Sequence, residues 1–244
     1  MQSLIFHNDE FEKAVRKVLC IFNRAITTED ALLVEELDLS ELYFEEEDFE
    51  TLFLFTNLKN LSIHLDSRVC FKWFRDLSWR YCGEDIDFSV FGNMKNLKSL
   101  RVFGGEDYDI PFVNLDNLIS LKNLERLELH NFGPIDLSPL CKMPQLKVLE
   151  LHKNIHAQNI NAICEMMWLE ELVLKDVFVE NLEFLDYFPD SIILKFNDIN
   201  VLTSKNLDIK KWKRFKKRNI SEIIARDKGQ GLFGENIDLS PLNE

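Results

Sequence analysis

The chain has 244 residues, 46% of them hydrophobic, and a net charge of −13, enough apolar content for one sizeable core and too much for a chain that stays disordered. Its five cysteines are odd in number and include no CxxC pair, which argues against a disulfide framework or a zinc ribbon. No apolar run approaches the ~20 residues of a membrane span, and the opening MQSLIFHNDEFEK has no cationic n-region, so the expectation is a cytoplasmic protein with reduced thiols.

Residues 1–33 read as a helical N-terminal cap. Asn8 or Asp9 can start a helix, and Phe11, Ala14, Val15, Val18, Leu19 and Phe22 follow at three- and four-residue spacing, the apolar stripe of an amphipathic helix. A second short helix is predicted from Thr27 or Thr28. Residues 29–50 then hold eleven carboxylates and no Lys or Arg, a strongly acidic end.

From Val34 a phrase of the form L-x-x-L-x-L recurs: VEELDL, LKNLSI at Leu58, LKSLRV at Leu97, LERLEL at Leu124, LKVLEL at Leu146, LEELVL at Leu169, and a degenerate SIILKF at Ser191. The intervals are 24, 39, 27, 22, 23 and 22 residues, a period that marks a stacked-repeat architecture. In each phrase the fourth and sixth residues are apolar and alternate with polar ones, which predicts a short strand with one buried side. One repeat buries five or six large apolar side chains, about 1.5–3 kcal/mol each, against about 1–2 kcal/mol of backbone entropy for each of its residues. No repeat can stand alone, so the turns must stack into a solenoid with a parallel sheet.

The two long intervals place insertions near residues 64–85 and 104–111. The first crowds Trp73, Phe74, Trp79 and Tyr81 together and the second carries Tyr108; both follow a strand, so they are expected to form a lip beside the sheet. About seven repeats fill residues 34–200.

Residues 201–244 read as a basic helical C-terminal cap and tail. Asp208 can cap a helix running to about Asp227, with Ile209, Trp212, Phe215, Ile220, Ile223 and Ile224 on its apolar side and Lys210, Lys211, Lys213, Arg214, Lys216, Lys217 and Arg218 between them. KGQGLFG at 228–234 contains Gly-x-Gly-x-x-Gly, but a dinucleotide fingerprint needs a strand before it and a helix after it. It reads as a turn. The closing ENIDLSPLNE repeats the IDLSPL of Ile135–Leu140 and is assigned to the cap.

The repeats resemble leucine-rich repeats, and IDFSVFGNMKNL, IDLSPLCKMPQL and FVENLEFLDYFPDS resemble the connecting segments of bacterial internalin-like arrays. The resemblance covers roughly residues 34–196. It implies an α/β fold: a leucine-rich-repeat solenoid with a parallel concave sheet, one domain over residues 1–244 with a helical cap at each end, working as a bacterial protein-binding scaffold. Internalin-like proteins are usually secreted or surface-attached, whereas no signal peptide is seen at the start of this chain.

The third, fifth and seventh residues of each phrase should face the concave side. Arg101, Phe103, Arg126, Glu128, His130, Glu150, His152, Glu171, Lys175 and Lys195 are the candidate partner-binding residues. The seventh column alone holds His64, His130 and His152. His130 and His152, about 5 Å apart on adjacent strands with Glu128 and Glu150 close by, can be read as a metal or pH-sensitive site or as a polar stripe that a partner covers. His152 and His156 form HxxxH at a strand end, where the rings need not converge. The second reading is adopted, with no catalytic, cofactor or metal site assigned. Cys141 and Cys164 occupy one column of consecutive turns and read as small buried hydrophobes. No nucleophile elbow, P-loop or HExxH is present. The expectation is a non-catalytic protein-protein interaction module. The alternatives are an inhibitor or immunity-type protein, nucleic-acid or anionic-surface binding through residues 208–228, and head-to-tail self-association between the acidic and basic ends.

Overall fold

The computed structural model describes residues 2–42, 44, 46–65, 86–87, 91–92, 94–104, 113–202, 208–215, 217–225 and 235–242. Each repeated phrase forms a strand of one parallel sheet: Glu36–Leu39, Asn60–Leu65, Ser99–Gly104, Arg126–His130, Val148–Gln158, Glu171–Val179 and Ile193–Asn197. The register follows the phrase. Leu37, Leu61, Leu100, Leu127, Leu149, Leu172 and Leu194 are successive partners, and all are buried. Leu61 pairs directly with Leu100 across the 39-residue interval, so the insertion between them does not interrupt the stack.

Just past the seventh position the backbone enters the left-handed region at Asn131, Lys153, Asp176 and Asp198, with φ between 54 and 59°. This bend sends each turn into a second short strand. Pro134–Asp136, the far ends of Val148–Gln158 and Glu171–Val179, and Ile199–Val201 pair in parallel beside the first sheet. A register shift between His152 and Ile155 marks the bend inside one long strand.

An α-helix, Glu46–Leu52, closes the first turn, and short 3-10 helices close later ones: Leu115–Ser120, Ser138–Lys142, Ile160–Glu165 and Glu183–Tyr187. Their recurring acidic or amide residue supplies the start. Asp136 Oδ1 accepts the Ser138 N–H at 2.9 Å and Asn181 Oδ1 accepts the Glu183 N–H at 2.9 Å, the local side-chain bonds that favour turns over regular ladders. Six residues before each phrase stand Leu52, Phe91, Leu118, Leu140, Ile163 and Leu185, and three before it Phe55, Met94, Leu121, Met143, Met166 and Phe188, all buried. The core therefore lies between the sheet and the 3-10 turns. Side-chain amides of Asn57, Asn96, Asn123 and Gln145, each one residue before its phrase, donate to the carbonyls of Leu32, Thr56, Lys95 and Leu121 in the preceding turn.

At the first end, helix Asp9–Leu19 starts where Asn8 Oδ1 accepts the Glu10 and Phe11 N–H groups. Phe11 and Val15 are fully buried, with the Phe11 ring centroid 5.1 Å from Phe44 and 5.8 Å from Phe55. The stripe is narrower than its spacing suggested. Val18, within the helix, is 49% exposed, and Phe22 is 69% exposed because the helix ends at Leu19 and Cys20 takes a left-handed conformation that carries Phe22 off the wheel. The second short helix, Thr28–Ala31, forms with Thr27 and Asp30 in a reciprocal capping box.

The C-terminal α-helix expected over 208–227 does not form. Ile209–Arg214 is a 3-10 helix, and Lys217–Ile220 is a strand that extends the parallel sheet, pairing Arg218 with Leu194 and Ile220 with Phe196. The segment is an eighth turn. Ile209, Trp212 and Phe215 are buried at the same three-residue spacing that places Leu118, Leu121 and Leu124 in an earlier turn, a spacing that also fits one side of an α-helix. Arg218 stands where the other turns carry leucine. Its guanidinium donates to the carbonyls of Phe215 at 2.9 Å, Lys213 at 3.3 Å and Leu242 at 2.8 Å, so it reaches the tail folded over this end. There Glu235–Asn236 pairs antiparallel with Ile223–Ala225, and Ser240–Leu242 forms a last 3-10 turn with Leu242 buried.

Candidate interaction face

The strand register sets the polar residues of the concave face in rows. His64, Phe103, His130, His152 and Lys175 are successive partners in one row, and Arg101, Glu128, Glu150, Val173 and Lys195 in the next. Both rows match the columns read from the phrases. The Phe103 ring stacks on His130 with centroids 4.4 Å apart and planes at 24°, and His130 stacks on His152 at 4.4 Å and 12°.

Ion pairs run along the second row and from it to Arg126 and Glu171, two residues earlier on their strands. Arg101 Nε donates to Glu128 Oε2 at 2.8 Å, Arg126 pairs with Glu150 on the next strand, and Lys195 Nζ lies 2.5 Å from Glu171 Oε1. The free carboxylate oxygens meet the imidazoles, His130 Nε2 at 2.5 Å from Glu128 Oε1 and His152 Nε2 at 3.1 Å from Glu150 Oε2. Each carboxylate is thus held by one arginine and one histidine, the charge-assisted geometry that immobilises a side chain.

This centre is not a solvated stripe. Glu128 and Glu150 are buried, and the His130 and His152 side chains are 14% and 15% exposed. Burial alone would raise the Glu128 pKa, but the hydrogen bonds from His130 and Arg101 outweigh it and hold the carboxyl at about 2. Burial pushes the His130 pKa below its ordinary value, with the neighbouring His152 acting in the same direction and Glu128 opposing. His152 is lowered by burial and, further, by the charges of Lys175, Arg101 and Arg126. Columns of like spacing revealed these positions in the sequence; the pairing that buries the two glutamates was missed, although an arginine one turn earlier in the same or the adjacent column is its visible signal.

Arg101, Lys175 and Lys195 are exposed on this face, with Phe103, Arg126 and Glu171 half-buried. Trp73, Phe74, Trp79, Tyr81 and Tyr108, the expected lip, lie outside the described residues, as do Lys216 and the glycines of 228–234. The remaining bases of the C-terminal segment do not share one helix face. Lys210, Lys211 and Lys213 are exposed on the 3-10 turn, Lys217 lies on the last concave strand, Arg218 is turned toward Leu242, and Arg214 pairs with Asp190 at 3.6 Å and the Leu185 carbonyl. Lys211 is itself paired with Asp186 at 3.1 Å. Cys141 and Cys164 are free and partly buried, and burial raises both thiol pKa values, which keeps them protonated and unreactive. Among the described residues no helix is long and apolar enough to cross a membrane.

A parallel sheet of one strand per phrase, closed by 3-10 turns, defines an internalin-like leucine-rich-repeat solenoid. No family model and no curated protein matches the chain. Among solved structures it is similar to an internalin, InlF, of Listeria monocytogenes, with a TM-score of 0.57 and 17% identity over 98% of this chain and 66% of that one. The chain therefore spans slightly less than two thirds of that protein. It is similar to internalin C2 of the same organism at a TM-score of 0.55 and 17% identity, covering 91% of this chain and 94% of that one. A third likeness, at 0.52 and 16% identity over 83% of this chain and 31% of that one, is to TLR13 in complex with single-stranded RNA. At these identities the likeness establishes the fold.

Proposed function

We propose that the chain is a non-catalytic binding module that recognises a protein partner on its concave face. The observation that carries this reading is the locked centre of that face, where Arg101, Arg126, Glu128, Glu150, His130 and His152 hold one another in a fixed arrangement. A surface whose side chains are already ordered loses little conformational entropy on binding. Around this centre the exposed Lys175, Lys195 and Arg101 and the half-buried Phe103 supply charge and aromatic area, the composition of an interface core with its rim. Residues 1–244 would act as one unit, with helix Asp9–Leu19 and the 235–242 tail shielding the two ends. An inhibitor or immunity-type role is a special case of the same surface.

Nucleic-acid binding is the second reading, supported by TLR13 having been solved with single-stranded RNA. Against it, the described bases of 210–218 are divided among separate faces and the chain carries −13 overall, which repels phosphate within a Debye length of about 8–10 Å. The test is affinity capture from nuclease-treated lysate with wild type, Lys175→Glu/Lys195→Glu and Lys210→Glu/Lys211→Glu/Lys213→Glu. Exposed lysines are chosen because reversing the buried Glu128 or Glu150 would unfold the face. Loss of a protein only with the Lys175/Lys195 variant supports the reading; loss only with the second variant overturns it.

A further inference from the structure

We propose that Glu128, His130 and His152 form a binding site for a divalent transition-metal ion, with zinc the best match. Each of the three offers one donor atom, and these atoms lie within 4.8 Å of one another. The repeat itself produces the cluster: a period of 22 residues puts His130 and His152 in cross-strand register, and alternation along the strand puts Glu128 on the same side as His130. No chain rearrangement is needed to assemble it.

The donor set selects the ion. Two imidazoles and one carboxylate suit zinc and its neighbours, whereas calcium and magnesium require oxygen ligands. Arg101 and Arg126 already neutralise Glu128 and Glu150, so a cation gains little from net charge here and must be held by bonding to imidazole nitrogen. Arg101 also fixes Glu128 by Oε2 and leaves Oε1 toward the rings, 2.5 Å from His130 Nε2, the kind of outer support that orients a metal ligand. Tetrahedral zinc with bonds of about 2.0–2.2 Å sets its donors about 3.3–3.6 Å apart. On binding, the Glu128–His130 pair therefore opens from 2.5 Å by about 1 Å while donors spaced at up to 4.8 Å draw together by about the same amount, adjustments that rotation of the imidazoles about their soft final torsion provides. The fourth position falls to water or to Glu150, whose Oε2 is 3.1 Å from His152 Nε2. Phe103 closes the site on the His130 side, and Lys175 borders it beyond His152.

This inference is independent of any partner, because it is tested on the protein alone. The chain is stripped with chelator and titrated with zinc by calorimetry, followed by thermal melting and by the visible spectrum of the cobalt-substituted form. Wild type is expected to bind one equivalent, melt at higher temperature with zinc, and show the intense visible bands of tetrahedral cobalt. His130→Gln/His152→Gln should lose all three signals, Glu128→Gln should weaken binding at least tenfold, and His64→Gln, in the same row but outside the cluster, should behave as wild type. Circular dichroism establishes that each variant is folded, and if the double histidine variant is not, the Glu128→Gln and single-histidine titrations decide. Absence of binding by folded wild type overturns the proposal, as does binding that survives the histidine substitutions or an octahedral cobalt spectrum.

Discussion

His152 lies flat against His130, with ring centroids 4.4 Å apart and planes 12° from parallel, and each imidazole is hydrogen-bonded to the glutamate two residues before it on its own strand. The relationship is a product of the repeat: the same phrase, written one turn later, puts the same side chain on top of itself. A polar network of this kind is stabilising only when every member is satisfied, and here arginines from the preceding strands complete it.

Removing one member should therefore be more damaging than an ordinary surface change. Glu128→Gln leaves Arg101 and His130 facing a neutral amide and is expected to destabilise by about 1–3 kcal/mol, the range for hydrogen bonds to charged groups. Lys195→Gln removes only an exposed pair with Glu171 and should cost about 0–1 kcal/mol. Urea unfolding of the two variants beside wild type measures the contrast.

Lys153 holds φ at 59° in a position filled by Asn131, Asp176 and Asp198 in the neighbouring turns, and left-handed backbone suits short polar residues and glycine better than a lysine. Lys153→Gly is expected to raise stability by about 0.5–1 kcal/mol, visible as a higher denaturation midpoint with unchanged slope.

Arg218 joins the last strand to the tail through three carbonyls. Arg218→Ala should cost about 2–3 kcal/mol and, more specifically, accelerate amide hydrogen exchange in residues 235–242 while helix Asp9–Leu19 keeps its protection. Equal acceleration at both ends would show that the arginine does not act locally.

Asp30 is buried and held by Arg24 through both carboxylate oxygens, at 2.6 and 2.7 Å, and by the Thr27 N–H. The Arg24 hydrogen bonds, opposed by burial and reinforced by Thr27, hold its pKa well below the ordinary carboxylate range. A pKa lowered on folding means that the unfolded chain binds the proton more readily, so Asp30 contributes stability above its ordinary value of about 3.9 and loses it as pH falls below that. Asp30→Asn should lower stability at neutral pH and flatten the acid limb of the stability profile below about pH 4.

Seven turns of the solenoid were legible because leucine occupies the fourth position of every phrase and a large apolar residue the sixth. The eighth was hidden by Arg218, which takes a leucine position to reach Leu242, and by the three-residue spacing of Ile209, Trp212 and Phe215, which satisfies an α-helical stripe as readily as a 3-10 turn leading into a strand. The comparison that resolves it was available in Leu118, Leu121 and Leu124, where the same spacing precedes a phrase that reads plainly. The second strand of each turn was missed because its left-handed entry, at Asn131, Lys153, Asp176 and Asp198, is marked by no glycine. On the concave face the rows were legible from position alone. Their burial was not, since polar side chains on an open sheet face are ordinarily solvated, and here the direct cross-strand relation of Arg101 to Glu128 and the diagonal relation of Arg126 to Glu150 bring the charges together.

The central claim, that the concave face receives a protein partner, is tested most directly by lysine acetylation of the captured complex. Lys175 and Lys195 lie exposed on that face, and Lys210, Lys211 and Lys213 lie exposed on the last 3-10 turn. Concave binding predicts that Lys175 and Lys195 lose reactivity in the complex while the other three react as in the free chain. Protection of Lys210, Lys211 and Lys213 with Lys175 and Lys195 unchanged would contradict it.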